Sequence, residues 1–252
     1  MAEMTPAEAI LEKRRTRALP VITAPAGGTE GPALPDFEGT AAQDILEWAF
    51  AEFGLEVVLA SSMQDSVLID LAWKIEPRVE VFFLDTGFHF YETLATAKAV
   101  RRRYNLNLVM LDPVDEPAVW SEEGYKACCA ARKVLPMNNY LKNKKAWMSG
   151  LRRAESETRA HAKAVEWDAG RGLVKINPIV EWSNRKVERY IKDNDLIVNP
   201  LKLEGYASIG CVPCTIPGNG REGRWSGSLR VECGIHQVHP AVADPVDPQA
   251  TG

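Results

Sequence analysis

The sequence lacks any apolar run near the ~20 residues that a membrane-spanning helix needs. Residues 1–19 mix acidic with basic side chains and lack the apolar central region of a secretory signal peptide. These two absences argue against a membrane protein and against export. We therefore expect a cytoplasmic protein.

A surplus of positive charge is also missing. The formal net charge is −4 and the isoelectric point is about 5.7, so no overall basic field attracts nucleic acid. We expect neither a nucleic-acid partner nor a membrane partner. Any anion-binding site must be formed locally.

Cysteine is scarce and clustered, with five residues in a chain of 252. Two are adjacent, at Cys128 and Cys129, and two lie in Gly210-Cys211-Val212-Pro213-Cys214. The fifth, Cys233, stands in Glu232-Cys233-Gly234-Ile235-His236. Thiols stay reduced in the cytosol, where clustered cysteines indicate metal binding or catalysis rather than disulfides.

The chain divides into three predicted parts. Residues 1–38 are predicted to be a flexible arm, because a Pro- and Gly-rich stretch leads up to Gly39. Residues 39–215 are predicted to be an α/β nucleotide-binding domain that includes the cysteine site. Residues 216–252 are predicted to be a mobile C-terminal segment that carries Cys233.

Strands and helices alternate in the central part. Helical spacing of apolar residues ends at Gly54, and short, almost continuously apolar runs follow, separated by helical patterns. Such runs are typical of a mostly parallel sheet with helices on both faces. The predicted strands include 57–60, 79–84, 106–111, 147–150 and 174–176.

Two polar turns follow the first two predicted strands. Ser61-Ser62-x-x-Asp65-Ser66 separates a buried strand from a helix, where backbone N–H groups and the helix dipole favour an anion. Asp85-Thr86-Gly87 follows the next strand and would lie beside the first turn. Each turn taken alone is also explained by helix capping. The G-x-x-x-x-G-K pattern of a Walker loop is absent.

Four of the cysteines form a candidate metal site. Cys211 and Cys214 have chelating spacing, whereas the adjacent pair does not match the usual zinc pattern. Two adjacent thiolates fit a cluster, in which each binds its own iron, better than one tetrahedral ion. A [4Fe–4S] cluster is therefore favoured over zinc. Buried free cysteines are the alternative.

Cys233 is a candidate nucleophile. A nearby cation lowers the pKa of a thiol and so increases the reactive thiolate, and His236, Arg221 and Arg224 lie close in sequence. An inert cysteine near the end of the chain is the alternative.

Basic pairs recur beside the predicted strand ends and the cysteines. Arginine binds phosphate or sulfate in a bidentate manner, so together they favour a small anionic substrate over a polyanion. Each pair taken alone would be a solvated surface charge. The sets are Arg132-Lys133, Arg152-Arg153 and Arg221-x-x-Arg224.

The serine-rich turn resembles the modified P-loop of the adenine nucleotide α-hydrolase-like superfamily. The whole set of motifs resembles the bacterial assimilatory adenylyl-sulfate (APS) reductases of the APS/PAPS reductase family. The matching stretches cover about residues 40–236. They are LASSMQDS (59–66), FLDTGFHFYET (83–93), CCAARKVLP (128–136), WMSGLRRAES (147–156), KINPIVEW (175–182), NPLKLEGYASIGCVPCT (199–215), REGRW (221–225) and ECGIH (232–236).

The resemblance implies a role for each matching residue. Cys233 would be the nucleophile, and Lys133 would lie between cluster and substrate. A [4Fe–4S] cluster would be held by Cys128, Cys129, Cys211 and Cys214. The substrate-binding residues would be Ser61, Ser62, Asp65, Ser66, Asp85, Thr86, Gly87, Lys133, Gly150, Arg152, Arg153, Arg221, Arg224 and His236.

The resemblance also implies a reaction. Thioredoxin, or a glutaredoxin-like donor, would reduce adenylyl sulfate to sulfite and AMP through an S-sulfocysteine on Cys233, in sulfate assimilation. The reductant would be a separate protein, and a homo-oligomer is compatible with the resemblance. The family's PAPS reductases usually lack the four other cysteines, which argues for APS as the substrate.

Two departures and three rival functions stand beside this interpretation. The linkers from Cys214 to Arg221 and from Arg224 to Cys233 are shorter than expected for the family, and Glu155 stands where many members have Gln. PAPS reduction is one alternative function. A modified-P-loop Fe–S enzyme of tRNA thiolation is another, although the acidic chain disfavours it. A non-catalytic metal-binding module would leave Cys233 unexplained.

Overall fold

The computed structural model describes residues 31–114, 125–225 and 234–236, together with Pro20 and Ile22. All structural statements below concern these residues. Four of the five cysteines are among them, whereas Cys233 lies outside.

A six-stranded sheet forms the centre of the fold. Its strand order is β3-β2-β1-β4-β6-β5, and every neighbouring pair is parallel except β6 and β5. The predicted mostly parallel α/β sheet is thus confirmed. The edge strand β5 was not predicted, because its four residues include Glu166 and Asp168 and give no apolar run. The strands are β1 Val57–Ala60, β2 Glu80–Leu84, β3 Asn107–Leu111, β4 Ala146–Ser149, β5 Val165–Asp168 and β6 Leu173–Ile176.

Helices cover both faces of the sheet. Successive side chains of a strand point to opposite faces, so each strand contributes to two cores. Val57 and Leu59 face a large core formed with α1, α2 and α3, whereas Val58 faces a smaller core that includes Met137 and Trp147. The described helices are α1 Ala42–Phe53, α2 Val67–Ile75, α3 Tyr91–Tyr104, α4 Tyr125–Cys129, α5 Leu135–Leu141 and α6 Asn184–Asp193. A π-helical turn, Ala130–Val134, joins α4 to α5.

Residues before α1 contact the large core. Phe37 is buried and its ring packs against Trp48, with 4.9 Å between ring centroids. The indole of Trp48 donates a hydrogen bond to the carbonyl oxygen of Pro20 at 2.8 Å. The division of the chain into an arm, a domain and a C-terminal segment stays a prediction.

Strands β2 and β3 lie on one side of β1, whereas β4, β6 and β5 lie on the other, so the strand order switches between β1 and β4. This switch point positions the site. In open α/β sheets, ligands bind beyond the carboxyl ends of the strands at such a switch point. The loops that follow β1, β2 and β4 meet at this edge. None of the helices in the described ranges combines the length and the apolar character that crossing a bilayer requires.

Candidate active site

The loop after β1 is shaped by its own polar side chains. Ser61 Oγ accepts a hydrogen bond from the backbone N–H of Met63 at 3.2 Å, and Asp65 Oδ1 accepts from Val67 N at 3.1 Å, at the start of α2. Ser66 Oγ instead donates to the carbonyl oxygen of Ile197 at 3.1 Å. The loop therefore presents Ser61 and Asp65 to the site, while Ser66 anchors it from behind.

A cavity of about 220 Å³ lies where the loops after β1, β2 and β4 meet. Many of the residues predicted to bind substrate line it. They are Ser61, Ser62, Asp65, Lys133, Gly150, Arg152, Arg221, Arg224 and His236. The sequence-based prediction that these distant residues form one site agrees with this geometry, although their roles stay predictions.

Five cationic side chains line the cavity, and one of them was missed from the sequence. Arg159 lies on the wall with its side chain 9% exposed, and it pairs with Glu155, four positions earlier. The spacing of four residues is the signal that sequence reasoning overlooked. The other cations are Lys133, Arg152, Arg221 and Arg224.

Arg153 points away from the cavity wall formed by the described residues. Its guanidinium makes two hydrogen bonds to the Glu38 carboxylate, at 2.6 and 2.7 Å, and a third to the carbonyl oxygen of Ala162 at 2.8 Å. Arg153 is absent from the described residues that line the cavity, and its contact with substrate stays a prediction. The side chains of the adjacent residues Arg152 and Arg153 point in different directions, and only that of Arg152 lines the cavity.

The turn after β2 faces the cysteines rather than the cavity. Asp85 Oδ1 accepts a hydrogen bond from Gly87 N at 3.0 Å, and Thr86 Oγ1 lies 3.3 Å from Cys211 Sγ. Among the described residues that line the cavity, Asp85, Thr86 and Gly87 do not appear. Their predicted role in substrate binding finds no support here, because the turn is used to hold Cys211.

Residues close to each cysteine pair contact the same turn. Arg132, three residues after Cys129, donates to the carbonyl oxygen of Thr86 at 2.7 Å, and its guanidinium lies 4.2 Å from the centroid of the Phe88 ring. Val212 N, between Cys211 and Cys214, donates to the carbonyl oxygen of Phe88 at 2.8 Å. Both cysteine-bearing segments thus pack against residues 86–88.

None of the four described cysteines forms a disulfide bond. Cys128, Cys129 and Cys211 are buried, at 5%, 9% and 6% exposure, and Cys214 is half-buried. The π-helical turn begins directly after Cys129, and such turns occur frequently at functional sites. Within the described ranges, no three His, Cys, Asp or Glu side chains are already arranged to hold a metal ion.

His89 links the cysteine side to the cavity side. It forms a β-bridge with Cys211, and it also lines the cavity. Its Nε2 lies 2.8 Å from the carbonyl oxygen of Leu84, so the ring donates there as the neutral tautomer. Burial lowers the pKa of His89, which favours this neutral form.

The short helix Gly234–His236, here called the tail segment, packs against the smaller core. Ile235 packs with residues of that core, and the His236 ring stacks on Trp147 with 6.0 Å between centroids. Arg171 donates to the carbonyl oxygen of Ile235 at 3.3 Å and to Asp168 Oδ2 at 2.7 Å. The tail segment is therefore held by side chains that the sequence did not single out.

The docked tail segment places His236 among cations. Burial lowers the pKa of His236 well below its ordinary value, and Lys175, Arg159, Arg221 and Arg171 lower it further. A neutral ring is thus the stable form in this position. Cys233, the residue before Gly234, lies outside the described residues, so its predicted role stays a prediction.

The chain is similar to a known family along most of its length. The model of the phosphoadenosine phosphosulfate reductase domain matches residues 56–217. An adenosine 5'-phosphosulfate reductase of Mycolicibacterium smegmatis is 46% identical over 207 residues, which cover 77% of this chain and 88% of the relative. The relative of the same name in Streptomyces coelicolor is 42% identical over 240 residues, covering 90% and 99%.

Solved structures show the same fold. A phosphoadenylyl-sulfate (PAPS) reductase from Candida auris, in a phosphate complex, superposes with a TM-score of 0.60 at 23% identity, covering 85% of this chain and 99% of the other. An FMN adenylyltransferase from Candida glabrata gives 0.54 at 15% identity, covering 71% and 64%. With its reductase-domain match and its close relatives, the chain belongs to the phosphoadenosine phosphosulfate reductase family.

Proposed function

We propose that this protein reduces adenosine 5'-phosphosulfate to sulfite and AMP in sulfate assimilation. The observation that carries the proposal is the cation-lined cavity at the sheet's switch point, with His236 of the tail segment in its wall. The cations match a phosphosulfate, and His236 follows the candidate nucleophile Cys233 by three positions. The relatives' shared name supports the same substrate.

Cys233 is proposed as the nucleophile. Its thiolate attacks the sulfur of the substrate, the bond from sulfur to the bridging oxygen breaks, and AMP leaves with the electron pair. The enzyme then carries an S-sulfocysteine on Cys233. Forming a covalent intermediate divides one difficult displacement into two easier steps.

Cationic side chains of the cavity assist this first step. Negative charge builds up on the phosphate oxygens as the bond to sulfur breaks. Lys133, Arg221 and Arg224 line the cavity, and positive charge held in advance near those oxygens stabilises the transition state. His236 lies in the same wall, and burial together with the neighbouring cations lowers its pKa, so the neutral ring adds no charge there.

Thioredoxin, or a glutaredoxin-like donor, is proposed as the reductant. One of its thiolates attacks the Cys233 sulfur and releases sulfite, which leaves a mixed disulfide. The second thiol of the donor resolves this disulfide and regenerates the Cys233 thiol. Two electrons pass from the dithiol to the substrate sulfur, and the donor leaves as a disulfide.

A [4Fe–4S] cluster is proposed on Cys128, Cys129, Cys211 and Cys214. Its fit rests on the donor set: four cysteines in two pairs, none in a disulfide, which converge on the turn 86–88. When bound, the cluster would tie the two cysteine pairs together and adjust the electrostatics beside the cavity. Lys133 and His89 connect this side of the protein to the cavity wall.

One experiment tests the nucleophile and the substrate together. The protein is incubated without oxygen with adenosine 5'-phosphosulfate labelled with radioactive sulfur, before any reductant is added. Label is expected on the peptide that contains Cys233, and addition of reduced thioredoxin is expected to release it as sulfite. Cys233→Ser should carry no label, whereas the neighbouring variant Glu232→Gln should carry it as the wild type does.

Two outcomes contradict the proposal. Sulfite release by Cys233→Ser at the wild-type rate would exclude this mechanism, and failure of the wild-type protein to release AMP would exclude the substrate. Iron and sulfide analysis with a visible absorption spectrum tests the cluster independently. A colourless protein that contains zinc would exclude it.

A further inference from the structure

Among the described residues, two carboxylates line the cavity beside its cations. Asp65 lies in the loop after β1, where burial raises its pKa, and Glu155 lies in the segment after β4. Glu155 pairs with two arginines of the same wall, Arg152 and Arg159.

Glu155 occupies both of these arginines. Its Oε2 accepts a hydrogen bond from the backbone N–H of Arg152 at 3.2 Å, and its Oε1 lies 3.5 Å from the Arg152 guanidinium. The same Oε2 also accepts from the guanidinium of Arg159. The side chains of Glu155, Arg152 and Arg159 are only 20%, 11% and 9% exposed, so solvent screens them weakly.

A carboxylate in this position distinguishes a sugar hydroxyl from a sugar phosphate. A hydroxyl donates a hydrogen bond to a carboxylate, as the ribose of NAD does in its binding proteins, whereas NADP sites place an arginine against the ribose phosphate. Arg152 and Arg159 would suit such a phosphate if they were not already paired. Glu155 occupies them and offsets part of their positive charge, so a second phosphate gains less from this wall than it would from unpaired arginines.

We propose that Glu155 is a specificity-determining residue, which restricts this cavity to nucleotides with an unmodified ribose and disfavours 3'-phosphorylated ones. This inference rests on the proposed function, because it assumes that an adenosine nucleotide binds here. Glu155 gives a reason in the cavity itself for the preference for adenosine 5'-phosphosulfate over its 3'-phosphorylated form. The sequence suggested this preference only through the four cysteines.

Binding of two product nucleotides tests the inference without catalysis. The dissociation constants of AMP and of adenosine 3',5'-bisphosphate are measured by calorimetry for the wild-type protein and for Glu155→Gln. Glutamine keeps an acceptor for Arg159 but removes the charge. We expect the wild type to favour AMP by about tenfold or more, and the variant to reduce this preference by about tenfold, as removal of one nearby charge implies.

A matched control exists in the neighbouring ion pair. Glu38→Gln removes the partner of Arg153, which points away from the cavity, and should leave the preference unchanged. Glu155→Asp, which keeps the charge, should retain a preference for AMP. Thermal unfolding of each variant shows whether the fold is intact.

The outcomes separate this inference from the proposed function. If the wild type binds both nucleotides equally, or if Glu155→Gln keeps the full preference, Glu155 does not discriminate, while adenosine nucleotide binding still stands. If neither nucleotide binds to the wild type, both the inference and the proposed function fail. Equal binding of the two nucleotides by the wild-type protein contradicts the inference even if Glu155→Gln does not fold.

Discussion

Replacement of Arg171 by lysine should release the tail segment while leaving the fold intact. Arg171 donates to Ile235, Asp168 and Asn138, through Nη1 for the first two and Nε for the third. Lysine is shorter and has no planar fork, so it cannot keep all three contacts. Its ammonium can still pair with Asp168, which avoids leaving a buried carboxylate without a cation.

The expected size of the effect follows from the contact that is lost. A hydrogen bond from a charged donor contributes about 1.5–3 kcal/mol net. The distance of 3.3 Å to Ile235 is long, so the lower end of that range applies. A loss of about 1.4 kcal/mol reduces the docking equilibrium about tenfold. Complete loss of the cation would instead break the buried pair with Asp168, at a cost of about 3–5 kcal/mol.

Hydrogen–deuterium exchange of the peptide that spans the tail segment measures this change directly. We expect Arg171→Lys to reduce its protection about tenfold, with the unfolding temperature almost unchanged. Arg185→Lys, a change at an exposed arginine of α6, should leave exchange as in the wild type. If Arg171→Lys exchanged within twofold of wild type, the contact between Arg171 and Ile235 would not hold the tail segment.

Two further predictions concern the tail segment and the arginine turn. The pKa of His236 is lowered when the tail segment is docked, so the undocked form binds more protons. Docking should therefore be strongest above about pH 6.5, the ordinary pKa of histidine, and should weaken as the pH falls below that value. An NMR titration of labelled histidine checks this, and a His236 ring that protonates near 6.5 in the docked protein would contradict it. A Cβ added at Gly223 would lie 2.1 Å from the carbonyl oxygen of Ile216, so Gly223→Ala must shift the turn that carries Arg221 and Arg224. Calorimetry should show at least about tenfold weaker AMP binding, since each charged contact contributes about 1.5 kcal/mol or more, and unchanged binding would mean that the turn does not position these arginines.

The α/β fold and most of the cavity wall could be predicted from the amino-acid sequence. Apolar runs define β1 and β2, because a strand buried on both faces needs apolar side chains, whereas β3 is an edge strand with Asn107 and Met110 exposed. Parallel strands bring the loops after them to one edge, which predicted the turn at Asp85 beside Ser61, whereas Gly150 was placed in the site by the family resemblance. The family resemblance supplied the basic residues beside them.

Which side chains face the cavity depends on tertiary contacts that the sequence does not reveal. Spacing cannot tell whether Arg152 or Arg153 points into the cavity, because that depends on the available partner, and Glu38 draws Arg153 away. The turn at Thr86 faces Cys211 for a similar reason, since the chain 125 residues later packs against it. Glu155 and Arg171 show the same limit: their roles come from partners that only folding brings into contact.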